Sequence, residues 1–156
     1  MDFDFPAEDD PRRLEVRSWL EANPSPSTED LAQSGYVVPH WPRPYGLDAE
    51  PMHQLIIDDE LRRAGVARPA NPIALGWAGP TILLAGTEEQ KDTFLPGMLR
   101  DVKWCQLFSE PDAGSDLAAL GTRAVRDGDE YIVNGSKIWT SGGHYSQYGI
   151  LIARTD

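Results

Sequence analysis

The chain is short of cysteine, of histidine and of positive charge. A single cysteine, Cys105, stands among 156 residues. That excludes an intrachain disulfide and a multi-cysteine metal site, and makes a reducing compartment the default. The three histidines, His40, His53 and His144, are too scattered to form a ligand set, so no metal is expected. Lys and Arg number 14 against 25 Asp and Glu, for a formal charge of -11. Phosphate backbones and anionic lipid surfaces would be repelled, so neither a nucleic-acid nor a membrane partner is expected. A phosphorylated small ligand stays open, because a local cradle of backbone N–H groups can outweigh net charge. No apolar run approaches the roughly 20 residues that span a bilayer. The opening segment MDFDFP has neither a basic nor an apolar leader stretch. No secretory signal is read there, and a cytoplasmic location is expected.

What is present suits a globular chain: 40% hydrophobic and 25% charged residues. The patterns are helical up to about residue 101 and strand-like after it. Pro11 to Ala22 reads as a first helix, with Leu14, Val16, Trp19 and Leu20 on its apolar side. A second runs from Thr28 to Ser34, stopped by Gly35. His40 to Gly46, with two prolines, is irregular. Glu50 to Ala64 is the clearest helix, with Met52, Ile56, Ile57, Leu61 and Ala64 on one face and Gly65 as stop. Asn71-Pro72 opens the next helix, which Gly79-Pro80 is expected to break. Thr87 to Gln90 fits a capping box for a last helix, interrupted or bent at Pro96-Gly97.

Three short strands are expected at Thr122 to Arg126, Glu130 to Val133 and Ser136 to Thr140, joined by Asp127-Gly128 and Asn134-Gly135 turns. A further strand is read from Tyr148 to Ala153. A meander of this kind leaves an open edge and needs a second layer against its inner face, so the β part reads as unfinished. The expected fold class is α+β: an all-α domain over 1–101, then the start of an antiparallel β domain over 102–156.

The densest segment is WCQLFSEPDAGSD, residues 104–116. A strand-like run is stopped by Pro111 and passes into a loop of small residues. Gly114 allows close approach or positive φ, and Ser115 with neighbouring N–H groups can hold phosphate oxygens. Read in isolation, the same loop fits better as a tight turn with an Asx or serine cap. The second segment is VNGSKIWTSGG, residues 133–143. Trp139 can pack on a planar ring and Thr140 or Ser141 can donate to it, or Trp139 can be a core residue beside a glycine turn. Taken together and in this order, the two segments resemble the acyl-CoA dehydrogenase family. The first is similar to its Ser/Thr-Glu-Pro-x-x-Gly-Ser-Asp strand and loop, the second to its Asn-Gly-x-Lys-x-Trp segment. Asp59-Glu60-Leu61 and Gly86-Thr87-Glu88-Glu89-Gln90-Lys91 resemble its N-terminal helical domain.

The resemblance implies a flavoenzyme, with FAD held between the middle β domain and a C-terminal helical bundle. It implies α,β-dehydrogenation of an acyl-CoA to a trans-2-enoyl-CoA, as in fatty acid β-oxidation. A carboxylate takes the α-proton, flavin N5 takes the β-hydride, and an electron-transfer flavoprotein reoxidises the flavin. Carried over residue by residue, Gln106, Phe108 and Ser109 contact the flavin ring. Gly114 and Ser115 meet the FAD pyrophosphate, with Ser115 also at the acyl-CoA channel. Trp139 flanks the isoalloxazine, Ser141 bonds near N5, and Thr140 lies between them. The family's base lies in the C-terminal bundle, so no catalytic residue is assigned here, and residues 1–156 alone are expected to be inactive. Glu110 is expected to be structural. A homo-oligomer, dimer or tetramer, is implied for the complete enzyme. The alternative reading is a non-catalytic flavin-binding or subunit-interaction module of a hetero-oligomeric dehydrogenase. Two departures stand out: Tyr45-Gly46-Leu47-Asp48 replaces a common Tyr-Gly-Gly step, and the stretch from Ala22 to Leu31 is compressed.

Overall fold

The computed structural model describes residues 5–155. The leader reading over residues 1–4 lies outside them, as does the last residue of the expected β domain. The fold is α+β, a helical N-terminal region followed by the start of a β domain. Two compact units are present: Met1–Ala70 with Gly79–Asp101, and Asn71–Ala78 with Val102–Asp156.

The first unit contains five α-helices: α1 Pro11–Ala22, α2 Thr28–Ser34, α3 Pro51–Arg63, α4 Gly79–Ala85 and α5 Glu88–Leu99. Asp10 caps α1 by accepting from the Arg12 N–H at 2.9 Å. Ser27 and Asp30 form a capping box on α2, and Gly35 closes it at φ 77°, a backbone region that costs other residues more than glycine. Thr87 and Gln90 form the expected box on α5. That helix is not interrupted at Pro96 but runs through it. Leu95, Met98 and Leu99, on both sides of the proline, are buried, and their burial offsets the backbone bond the proline removes.

Helices α1 and α3 pack together. Val16, Ile56, Ile57 and Leu61 are buried there, while Leu14 and Met52, both expected inside, are exposed. Arg13 takes the inward position instead, with no exposed surface. Its guanidinium donates to Asp59 at 2.8 Å and also bonds Glu60. Arg17 holds Glu60 at 2.9 Å, and Arg62 reaches Asp59 at 2.6 Å. Buried charges of this density require such pairing. The irregular stretch after α2 is a folded loop around Trp41, with Val37 and Val38 also buried. Gly46 lies so close to this loop that an added Cβ would sit 2.5 Å from the Val38 and Trp41 carbonyl oxygens.

The second unit opens with Asn71, whose Oδ1 accepts from the Ala74 N–H and whose Nδ2 donates to Val102 O at 2.6 Å. The helix that follows is not broken at Gly79-Pro80. It widens into a π-helical turn, Ala74–Ala78, and passes directly into α4. Pro80 has no N–H to give an ordinary i→i−4 ladder, and the widened turn lies just ahead of it.

Four strands follow: β1 Trp104–Leu107, β2 Arg123–Asp127, β3 Glu130–Asn134 and β4 Tyr148–Leu151. Strands β2 and β3 form the expected antiparallel hairpin, with Asp127 opposite Glu130 and Gly128 at φ 63°. The expected strand over Ser136 to Thr140 is absent. That stretch has no regular secondary structure and is held by the bonds of Lys137 and Ile138 described below. Strand β4 does not continue a meander. It pairs with β1 in parallel, Cys105 opposite Gly149. Gly149 lies close against β1: a Cβ there would sit 2.7 Å from Leu107 Cδ1, so that side chain would have to move. Beyond β4, Arg154 bridges to Arg123, and Ala124 N donates to Arg154 O at 2.7 Å.

Candidate functional site

Strand β1 delivers the first motif. Trp104 and Cys105 are buried, while Gln106 and Leu107 are half-buried. Gln106 lies in register with Ile150 of β4. Phe108, just past the strand, stacks on Trp77 of the π-helical turn, with centroids 5.4 Å apart and planes at 23°. Sequence reasoning assigned Trp77 nothing, since a tryptophan in ALGWA reads as one more apolar helical residue. Only the structure shows the π-helical turn that carries it, a frequent companion of functional sites.

The loop after β1 is tied at its base. Glu110 N donates to Ala113 O at 2.8 Å, and Ala113 N returns a bond to Glu110 O at 3.2 Å. Ala113 is buried, whereas Gly114, Ser115 and Asp116 are exposed. Gly114 does not adopt positive φ. A Cβ at Gly114 would meet nothing within 4 Å, so neither strain nor crowding by this chain requires glycine. The space beside it is open.

Glu110 is engaged within the chain. Its carboxylate accepts from Lys137 Nζ at 2.8 Å, from the Gly121 N–H at 2.6 Å and from the Thr122 N–H at 2.9 Å. The Lys137 ammonium, with Thr122 and Gly121 behind it, holds this carboxyl down at about 2. It is therefore ionised at neutral pH, with both oxygens engaged in hydrogen bonds, as a structural anion would be.

Lys137 and Ile138 join the second motif to the first. Lys137 Nζ also donates to Phe108 O at 2.8 Å, and Ile138 N donates to Ser109 O at 2.8 Å. The expected flavin-contact residues Phe108 and Ser109 are thus brought beside the segment that carries Trp139. Trp139 itself has φ 56° and an indole exposed to 82%, so it is not a core residue. Thr140 is half-buried and Ser141 exposed. Ser141 N donates to Trp139 O at 2.9 Å, closing a tight turn. The second motif's lysine was legible as a motif letter, but its role as the tie between segments was not.

The two motifs thus leave Trp139, Ser115 and Ser141 exposed and the space beside Gly114 open. This donor set suits a flavin, whose ring needs a stacking surface and whose pyrophosphate needs small residues with accessible N–H groups.

Residues 7–101 match the acyl-CoA dehydrogenase N-terminal domain, and residues 105–156 match the acyl-CoA dehydrogenase middle domain. This chain belongs to the acyl-CoA dehydrogenase family. Among curated relatives, it is 52% identical over 128 residues to acyl-CoA dehydrogenase FadE34 of Mycobacterium tuberculosis, covering 81% of this chain and 18% of that protein. Among solved structures, a chain of the ChsE4-ChsE5 complex of Mycobacterium tuberculosis is 37% identical at a TM-score of 0.71, over 100% of this chain and 45% of that one. The Tcur3481-Tcur3483 steroid ACAD is 36% identical at 0.71, over 100% of this chain and 45% of its own. A glutaryl-CoA dehydrogenase of Mycobacterium smegmatis in complex with FADH2 is 25% identical at 0.59, over 93% of this chain and 41% of its own. The chain thus spans less than half the length of these relatives. No helix among the described residues is long and apolar enough to cross a membrane.

Proposed function

We propose that this acyl-CoA dehydrogenase chain supplies one wall of a flavin site in an enzyme that dehydrogenates an acyl-CoA thioester to its trans-2-enoyl-CoA. The observation that carries this reading is the exposed indole of Trp139, tied through Ile138 to the backbone of Ser109. In this reading residues 1–101 are the N-terminal helical domain and 102–156 part of the middle β domain. FAD, when bound, supplies the acceptor for the β-hydride.

The chain's own residues would act by binding and orientation. Trp139 would offer the ring a stacking surface, and Ser109, Thr140 and Ser141 would donate to its polar atoms. Gln106 and Phe108 shape the strand behind it. Gly114 and Ser115 receive the pyrophosphate, and Ser115 also borders the acyl-CoA. Donors fixed before substrate arrives favour the charge that develops at the thioester carbonyl as the α-proton leaves. Glu110 is not the base, because its carboxylate is committed to Lys137, Gly121 and Thr122. The base is supplied from outside residues 1–156. An electron-transfer flavoprotein is the electron acceptor, the complete enzyme is a homo-oligomer, and its location is the cytoplasm.

The test is flavin binding by the intact enzyme. Trp139→Ala and Ser141→Ala are each expected to weaken FAD binding or shift the flavin absorption bands. Unchanged affinity together with an unchanged spectrum would sink the assignment. A second reading is favoured by the likeness to a chain of the ChsE4-ChsE5 complex: this chain belongs to one partner of a hetero-oligomer. Likeness to a steroid ACAD favours a bulky, ring-bearing acyl group over a straight chain.

A further inference from the structure

Trp139 is held in a conformation that its own side chain does nothing to support. Its φ of 56° lies in the left-handed region, which a bulky L-residue adopts only under constraint. Its indole is 82% exposed, so ring burial supplies little compensation. Strained residues of this kind persist where the surroundings over-determine them, and they gather at ligand clamps.

The constraint lies two residues upstream. The Lys137 and Glu110 side chains are 7% and 10% exposed and meet at 2.8 Å. Lys137 also grips Phe108 O, while Glu110 is anchored from behind by the Gly121 and Thr122 N–H groups. Ile138 N bonds Ser109 O, and Ser141 N bonds Trp139 O. The residues on both sides of Trp139 are therefore fixed, and the half-buried charge pair is the part that a single substitution can release.

We propose that the Lys137–Glu110 pair is a positioning device that holds Trp139 left-handed with its indole presented, so that the stacking face is set before flavin arrives. Presentation in advance removes an ordering cost from binding. The functional half of this inference rests on the flavin reading above; the conformational half does not.

The test is nuclear magnetic resonance on the full chain with ¹⁵N-labelled tryptophan. The Trp139 indole signal is identified by its loss in Trp139→Phe. Lys137→Met is expected to change the Trp139 backbone coupling constant away from its left-handed value and, as the backbone carries the ring with it, to move or broaden that signal. The Trp19, Trp41 and Trp104 signals should stay, showing both units folded, and Lys137→Arg should restore the native pattern. An unmoved Trp139 signal in a folded Lys137→Met variant overturns the proposal. Glu110→Gln removes the charge that pairs with Lys137 and keeps one of the two oxygens that the Gly121 and Thr122 N–H groups meet, and it carries the same test if Lys137→Met does not fold. FAD titration of the holoenzyme then separates the two readings. If release leaves Trp139 presented in one molecule in ten, the apparent Kd rises about tenfold. Weakening by Trp139→Ala without weakening by Lys137→Met overturns the clamp and leaves the flavin reading standing. No effect of Trp139→Ala on FAD overturns the flavin reading, and the resonance result decides the clamp alone.

Discussion

Replacing Arg13 with methionine removes the cation at the centre of the α1–α3 contact and keeps an apolar stem of similar reach. Breaking a buried ion pair by removing one partner costs about 3–5 kcal/mol, since the remaining charge stays desolvated. Here the remaining carboxylates are not orphaned. Asp59 keeps Arg62 at 2.6 Å and Arg63 at 2.9 Å, and Glu60 keeps Arg17 at 2.9 Å. Arg62 and Arg63 reach in from solvent, however, with 74% and 42% of their side chains exposed, and exposed partners compensate weakly. The low end applies, about 3 kcal/mol, or a melting temperature lower by about 6–12 °C for a chain of this size. Urea unfolding followed by far-UV circular dichroism measures it, with an unchanged slope confirming that stability alone has moved. The pH dependence adds a second check. The Arg13 hydrogen bond leads in lowering the Asp59 carboxyl below its ordinary 3.8. Burial pushes Glu60 up, but Arg17 and Arg13 overcome it and leave its carboxyl below 4.5. Depressed carboxyls stabilise fully above their unfolded values and lose that contribution as pH falls through the folded ones. The wild type should therefore lose stability more steeply in acid than Arg13→Met. A difference below about 1 kcal/mol at neutral pH, the scale of a surface pair, together with parallel acid profiles, would refute the reasoning.

Gly135→Ala should destabilise the second unit by about 1–3 kcal/mol, the usual cost of overpacking. Its Cβ would sit 2.2 Å from Thr122 Oγ1 and 2.8 Å from Thr122 Cα, and thermal unfolding watched at the hairpin's resonances measures the loss. If the intact enzyme takes ring-bearing acyl groups, its kcat/KM for a steroid-bearing acyl-CoA should exceed that for a straight-chain thioester by at least about tenfold, roughly 1.4 kcal/mol of differential binding. Equal or reversed values would sink that preference.

Local chemistry was legible in the sequence; long-range pairing was not. The Thr87–Gln90 box, the Gly35 stop and the Asp127-Gly128 turn each depend on residues within four positions of one another, so their letters determine them. The parallel pairing of β1 with β4 joins residues more than forty positions apart, and its local signal is only Gly149, one glycine among 14. Arg13 misled for a related reason. Helical periodicity ranks leucine above arginine for a buried face, and only the distant Asp59 and Glu60 reverse that order. Motif letters located the candidate site, yet the letters Glu110 and Lys137 did not disclose that they bind each other.

That pairing bears on where the chemistry must come from. A base for a thioester α-proton needs a carboxylate with a lone pair aimed at substrate and a proton affinity suited to receiving it. Glu110 is the tempting acid of the first motif, and it fails on both counts. Its oxygens face Lys137, Gly121 and Thr122, and the same donors hold its carboxyl down at about 2. An acid so strongly ionised is a weak proton acceptor. Freeing it would break its half-buried pair with Lys137, which also holds the Phe108 carbonyl. In the proposed mechanism the two duties are therefore divided. The strand and loop around Glu110 keep the stacking surface rigid, and proton abstraction falls to a carboxylate that no structural pair has claimed.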